Sequence, residues 1–120
     1  MHFFFDSYAL IELIKNNPTY EKFRDELIVT NALNIAETHY ILMTIVGREK
    51  ADAALQRLSV TLLALDKEIA IAASTFRHQQ AKLKLSYANC IGYCLARKHH
   101  LLFLTGDDAL KKFDSVEFVK

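Results

Sequence analysis

At 120 residues the chain has the length of one domain, taken as residues 1–120, and a net charge of +1 excludes a polyelectrolyte that holds nucleic acid by bulk attraction. An apolar share of 52% predicts a well-filled core, and three glycines with one proline leave no place for a low-complexity linker. No apolar run is long enough to span a bilayer and no signal-peptide pattern opens the chain, so a cytoplasmic protein without a membrane partner is expected.

Residues 2–5 read as a buried strand, and residues 7–16 as a helix with Leu10, Leu13 and Ile14 on one face. Asn16-Asn17-Pro18 stops it. Residues 19–26 predict a second helix, followed by a short strand over 27–30. The span 34–46 is apolar nearly all round and predicts a deeply buried helix, ended by Gly47. Residues 48–58 form another helix, and 60–65 a β-like run. Asp66 then caps a helix reaching about Leu83, with Ile69, Ala72, Ala73, Phe76 and Leu83 inward. Ser86 opens a helix to about Lys98. A strand over 101–104, a short helix over 107–113 and a strand over 116–119 complete the series. Strands that are apolar at successive positions, alternating with helices, predict a parallel sheet covered on both faces.

Asp6 directly follows Phe3-Phe4-Phe5, and Asp107 follows Leu101–Leu104 by way of Thr105-Gly106. Both stand at strand ends, where an open parallel sheet binds ligands. Glu37 and Asn89 fall in the first turns of helices between them. Each position also has a structural explanation. Asp6 caps a helix, Asn34-x-x-Glu37 has the spacing of a capping box with Asn34 as the cap, and Ser86-x-x-Asn89 has similar spacing. Asp107 and Asp108 complement a helix dipole. Helix starts hold carboxylates in fixed geometry, and gathered carboxylates repel until a divalent cation joins them. Cys90 and Cys94, one helical turn apart, read as small apolar residues rather than a disulfide or zinc site.

Four words in this order, Phe5-Asp6-Ser7, Asn34-Ile35-Ala36-Glu37, Leu85-Ser86-Tyr87-Ala88-Asn89-Cys90 and Leu104-Thr105-Gly106-Asp107, resemble the PIN domain. In particular they are similar to the VapC-type toxins of prokaryotic toxin–antitoxin pairs, and the resemblance covers essentially the whole chain. It implies a three-layer α/β/α sandwich with a central, mostly parallel sheet, and a metal-dependent ribonuclease. It implies that Asp6 and Asp107 ligate Mg²⁺ or Mn²⁺ directly, and that Glu37 does so directly or through water. Asn89 would be the fourth member of the site, with Ser7 and Thr105 orienting the acids. The implied partners are an RNA substrate, a cognate antitoxin and a second copy in a homodimer. The first helix and the Phe/Tyr-rich segment after it carry surplus apolar character, which is either core or the surface on which such partners pack.

Asn89 departs from the family pattern, which has Asp there. An amide brings no negative charge and cannot act as a base, so weaker metal binding and slower catalysis are expected, whether the change is introduced or natural. Two basic groups, Arg77, His78, Lys82 and Lys84, then Arg97, Lys98, His99 and His100, are candidates for phosphate contact but read chiefly as solvated faces. Tyr40, Tyr87 and Tyr93 read as packing rather than base-stacking residues. Two alternatives stand beside the nuclease. One is an inactive PIN-like protein-binding module, supported by Asn89. The other is a receiver-like phosphoacceptor domain built on Asp66, which lacks the acid pair after the first strand and a late Lys-Pro step.

Overall fold

The computed structural model describes residues 2–120. Among them, five strands form one all-parallel sheet: β1 (Phe3–Phe5), β2 (Ile28–Thr30), β3 (Val60–Leu62), β4 (Leu102–Thr105) and β5 (Val116–Phe118). Their spatial order is β3-β2-β1-β4-β5, with Phe5 beside Leu104 and Phe4 beside Val29. Five α-helices cover the sheet: α1 (Ser7–Ile14), α2 (Ala32–Val46), α3 (Arg48–Arg57), α4 (Lys67–Gln79) and α5 (Tyr87–Lys98).

Successive side chains of a strand point to opposite faces, and β1 shows why its apolar run has no gaps. Phe4 packs with Ile69, Ala73, Ile91 and Leu95 of α4 and α5. Phe5 packs on the other side with Ala9, Leu10 and Leu13 of α1, and with Tyr20 and Phe23. The α/β/α sandwich is therefore two cores sharing one sheet. Gly92 of α5 sits where an added Cβ would lie 2.8 Å from the Phe4 ring, so glycine lets that helix settle onto the central strand.

Several boundaries differ from the sequence expectation, each for a local reason. Residues 19–26 are not an α-helix; Pro18–Phe23 form a 3-10 helix, started by Pro18 and capped by the Asn17 side chain on Thr19 N–H. Helix α2 begins at Ala32, capped by Asn31 rather than Asn34. Its expected deep burial is also corrected: Asn34, Thr38 and Leu42 are its buried residues, while Tyr40 (70%), Ile45 (58%) and Val46 (44%) are exposed. Helix α4 stops at Gln79, and a separate 3-10 turn over Ala81–Leu83 leaves Leu83 exposed; Ala72, expected inward, lies on the outer face of α4. The expected helix over 107–113 is a single 3-10 turn at Asp108–Leu110. The apolar residues of α1, with Tyr20 and Phe23, are spent on the core instead of forming a partner surface.

The sheet order carries one further property. From β1 the chain moves outward through β2 and β3, then returns to place β4 on the other side of β1. This reversal opens a crevice over the C-terminal ends of β1 and β4. No helix among the described residues is long and apolar enough to cross a membrane.

Candidate active site at the ends of β1 and β4

Asp6 is the first residue beyond β1. Its backbone N–H continues the ladder to Leu104 O at 3.2 Å, and its Oδ1 accepts from Ala9 N–H at 2.9 Å, so it caps α1. The carboxyl group is 1% exposed. Burial is the main cause that pushes its pKa up to about 7. The Thr105 hydroxyl and Ala9 N–H act against burial by hydrogen bonding, while the charges of Asp107 and Glu37 push further upward. The two acids thus share its electrostatic surroundings.

Asp107 comes from the neighbouring strand. Thr105, fully buried, accepts from Asp107 N–H at 3.1 Å through its Oγ1. Asp107 Oδ1 in turn accepts from Ala109 N–H at 3.0 Å, and the carboxyl remains half-buried. Gly106 between them is required by space: an added Cβ would collide with the Tyr8 ring and lie 2.5 Å from Val119 O. Lys120 Nζ donates to Asp108 Oδ2 at 3.1 Å at the outer rim.

Glu37 lies in the second turn of α2, half-buried. Three residues earlier, Asn34 is fully buried inside the helix. Its Nδ2 donates to Ser7 Oγ at 3.3 Å, and Ser7 Oγ donates to Asn34 O at 3.4 Å. The residue after Asp6 is thereby braced to the helix that bears Glu37. Asn34 Oδ1 and Thr38 Oγ1 are buried without a hydrogen-bond partner among the described residues. The sequence expectation treated Asn34 as a cap and passed over Thr38; their four-residue spacing on one helix face was the signal available.

Asn89 closes a capping box at the start of α5. Its N–H donates to Ser86 Oγ at 3.0 Å, and its Oδ1 accepts from Ser86 N–H at 3.2 Å. That second bond fixes the amide orientation, because an N–H needs an oxygen opposite it. The other end of the amide is then Nδ2, a donor, where an aspartate would present a second oxygen. Cys90 and Cys94 are free thiols, and burial pushes Cys90 up to about 11, as suits apolar packing.

The donors at the strand ends are hard oxygens, which suit Mg²⁺ or Mn²⁺ rather than a soft metal. Among the described residues no three His, Cys, Asp or Glu side chains stand close enough together to hold an ion unaided. Mg²⁺ ordinarily keeps several waters and takes one or two carboxylates, so two strand-end aspartates with a glutamate from α2 fit that habit.

The PIN domain family model matches residues 3–116 of the chain. Solved structures share its fold. VapC20 from Mycobacterium tuberculosis, a sarcin–ricin loop cleaving toxin, superposes with a TM-score of 0.77 at 18% identity, covering 95% of this chain and 98% of that one. A toxin–antitoxin complex from Klebsiella pneumoniae gives 0.74 at 16% identity, with 98% and 96% covered. VapBC2 from Rickettsia felis, bound to a DNA fragment from its promoter, gives 0.73 at 12% identity, with 99% and 98% covered. No curated protein matches the chain by sequence.

Proposed function

We propose the following function from the premise that this chain belongs to the PIN domain family: it is a divalent-metal-dependent endoribonuclease, the toxin of a toxin–antitoxin pair, slowed by the amide at position 89. The observation that carries this reading is Asp6. A carboxyl group buried at a topological switch point, with two further acids raising its pKa, is an arrangement that costs stability without a cation and gains it with one. Cleavage of RNA by VapC20, similar in fold, supports RNA as the substrate class.

When bound, the cation supplies Lewis acidity and positive charge at the scissile phosphate. The chain's own residues do the remaining work. Asp6 and Asp107 present oxygens from adjacent strands, and their free torsions are restrained by Ala9 and Ala109 N–H groups. Thr105 links both, hydrogen bonding to Asp6 and accepting from the Asp107 backbone N–H. Ser7 and Asn34 fix the approach of α2 and with it Glu37. Asn89 holds the start of α5 but cannot take a proton from a nucleophile.

The test is Asn89→Asp, assayed on RNA with Mn²⁺. Restoring a negative charge at position 89 strengthens the hold on a divalent cation, and a rise of about a hundredfold in metal-dependent cleavage, equivalent to about 2.7 kcal/mol, is expected. Equal cleavage in excess EDTA would overturn the reading. The inactive binding module remains the second reading, favoured by Asn89; a chain that takes up no Mn²⁺ in either form would support it. Asp66 merely caps α4 and pairs with Lys98 at 3.5 Å, so nothing supports a phosphoacceptor.

The same reading supplies partners and place: a cognate antitoxin, a second copy of the chain, and action in the cytoplasm. The toxin–antitoxin complexes that share the fold support the antitoxin. One surface open to such partners is formed by exposed apolar residues of α2 and the β3 edge, Leu33, Tyr40, Ile45 and Leu62 among them.

A further inference from the structure

Between the last turn of α4 and the first of α5 lies a cleft of about 310 Å³, lined by Ser74, Arg77, His78, Lys84, Leu85 and Tyr87. Tyr87 is the first residue of α5 and is 52% exposed, so its ring is not committed to the core. The Arg77 guanidinium lies over that ring, its Cζ 4.5 Å from the centroid. It is held there because Arg77 Nε donates to Leu85 O at 2.8 Å. A steadied aromatic ring beside a planar cation offers π surface to a base and charge to its phosphate. Among the described residues, no carboxylate lies within ion-pair distance of Arg77, Lys82 or Lys84. The cleft is therefore cationic without internal compensation.

Its place on the molecule matters as much. Helix α5 leads directly into β4 and packs on β1 and β4, running opposite to them, so its first turn stands at the same sheet edge as Asp6 and Asp107. Asn89 and Tyr87, two residues apart, project about 200° apart around the helix. The cleft and Asn89 thus lie on opposite sides of the first turn of α5.

We propose that this cleft is a subsite for one nucleotide of single-stranded RNA flanking the scissile phosphate, its base against Tyr87 and its phosphate near Arg77 and Lys84. The proposal rests on the ribonuclease reading above and names how that site holds its substrate. An unpaired base is required, because a duplex keeps its π faces stacked on its own neighbours.

The test measures fluorescence anisotropy of labelled oligoadenylate and oligouridylate with the full chain in EDTA. Tyr87→Ala is expected to weaken binding about tenfold and Tyr87→Phe to preserve it. Lys84→Gln is expected to lower the slope of log affinity against log salt by about 0.7. Unchanged RNA affinity in Tyr87→Ala overturns the proposal, as does a loss equally large when the RNA carries no bases. Retained RNA binding with loss of the co-expressed antitoxin also overturns it, assigning the cleft to a protein partner. The two readings fail separately. An Asn89→Asp chain that binds RNA through Tyr87 yet never cleaves it sinks the nuclease and leaves the subsite. One that cleaves with KM unaltered by Tyr87→Ala sinks the subsite and leaves the nuclease.

Discussion

Asp6 makes the consequences of burial measurable. Its pKa in the folded protein, about 7, exceeds the ordinary carboxylate value near 4. Below pH 4 the group is protonated in both states and costs nothing. Between pH 4 and 7 the unfolded chain releases the proton and the folded one keeps it, so stability falls across that window and is level above it. The full effect is on the order of 4 kcal/mol. In EDTA, Tm should decline from pH 4 to pH 8, and Asp6→Asn should remove most of that decline. Mn²⁺ should restore several degrees at pH 8 to the parent and none to Asp6→Asn, as read by thermal denaturation; a parent unresponsive to Mn²⁺ would count against the acids as a cation site. Asp6 and Asp107 were legible in the sequence because each closes a continuous apolar run. That Asp6 is the acid which burial perturbs was not legible, since nothing in the sequence distinguishes it from Asp107.

Helix α2 shows where pattern reading stops. Two asparagines three residues apart, Asn31 and Asn34, both suit a helix cap, and only the side-chain bond to Leu33 N–H decides for Asn31. Its apolar circumference was read as burial, whereas the buried line is Asn34, Thr38 and Leu42 and much of the rest faces outward. Hydrophobicity reports a preference to leave water, not which surface satisfies it. Thr38 offers a direct check. A buried hydroxyl without a partner costs about 1–3 kcal/mol, so Thr38→Val should stabilise the protein by about 1 kcal/mol in urea unfolding. A loss of stability would reveal a partner for that hydroxyl. The turn after β4 is the opposite case. Gly106→Ala forces the Tyr8 ring or Val119 aside and should cost about 1–3 kcal/mol, while displacing Asp107 and so reducing cleavage in the Asn89→Asp background.

At the scale of the molecule, the alternation of strands and helices was readable from the chain, but the order of strands was not. Parallel sheets of the same element sequence differ in where the chain reverses, and periodicity is silent about that. The reversal between β1 and β4 brings Asp6 and Asp107, far apart in the chain, to the ends of adjacent strands. The family resemblance supplied what the pattern lacked. Whether the apolar residues of α1 serve core or partner was not readable for the same reason: they are packed beneath the sheet, while Leu33, Tyr40, Ile45 and Val46 of α2 and Leu62 of β3 are among the apolar residues that face outward. Sedimentation at micromolar concentration should show a dimer that Tyr40→Glu converts to monomer, since a charge in an apolar interface must be desolvated. A parent that sediments as a monomer would end that proposal.

The capping box at α5 has one more consequence. A carboxylate at position 89 would accept the same bond from Ser86 N–H and keep its own N–H on Ser86 Oγ, so the helix start is indifferent to which of the two residues it carries. Asn and Asp codons differ by a single base. Under the proposed function, a lineage bearing this gene passes between a slowed and a restored nuclease in one mutational step, without crossing an intermediate that fails to fold.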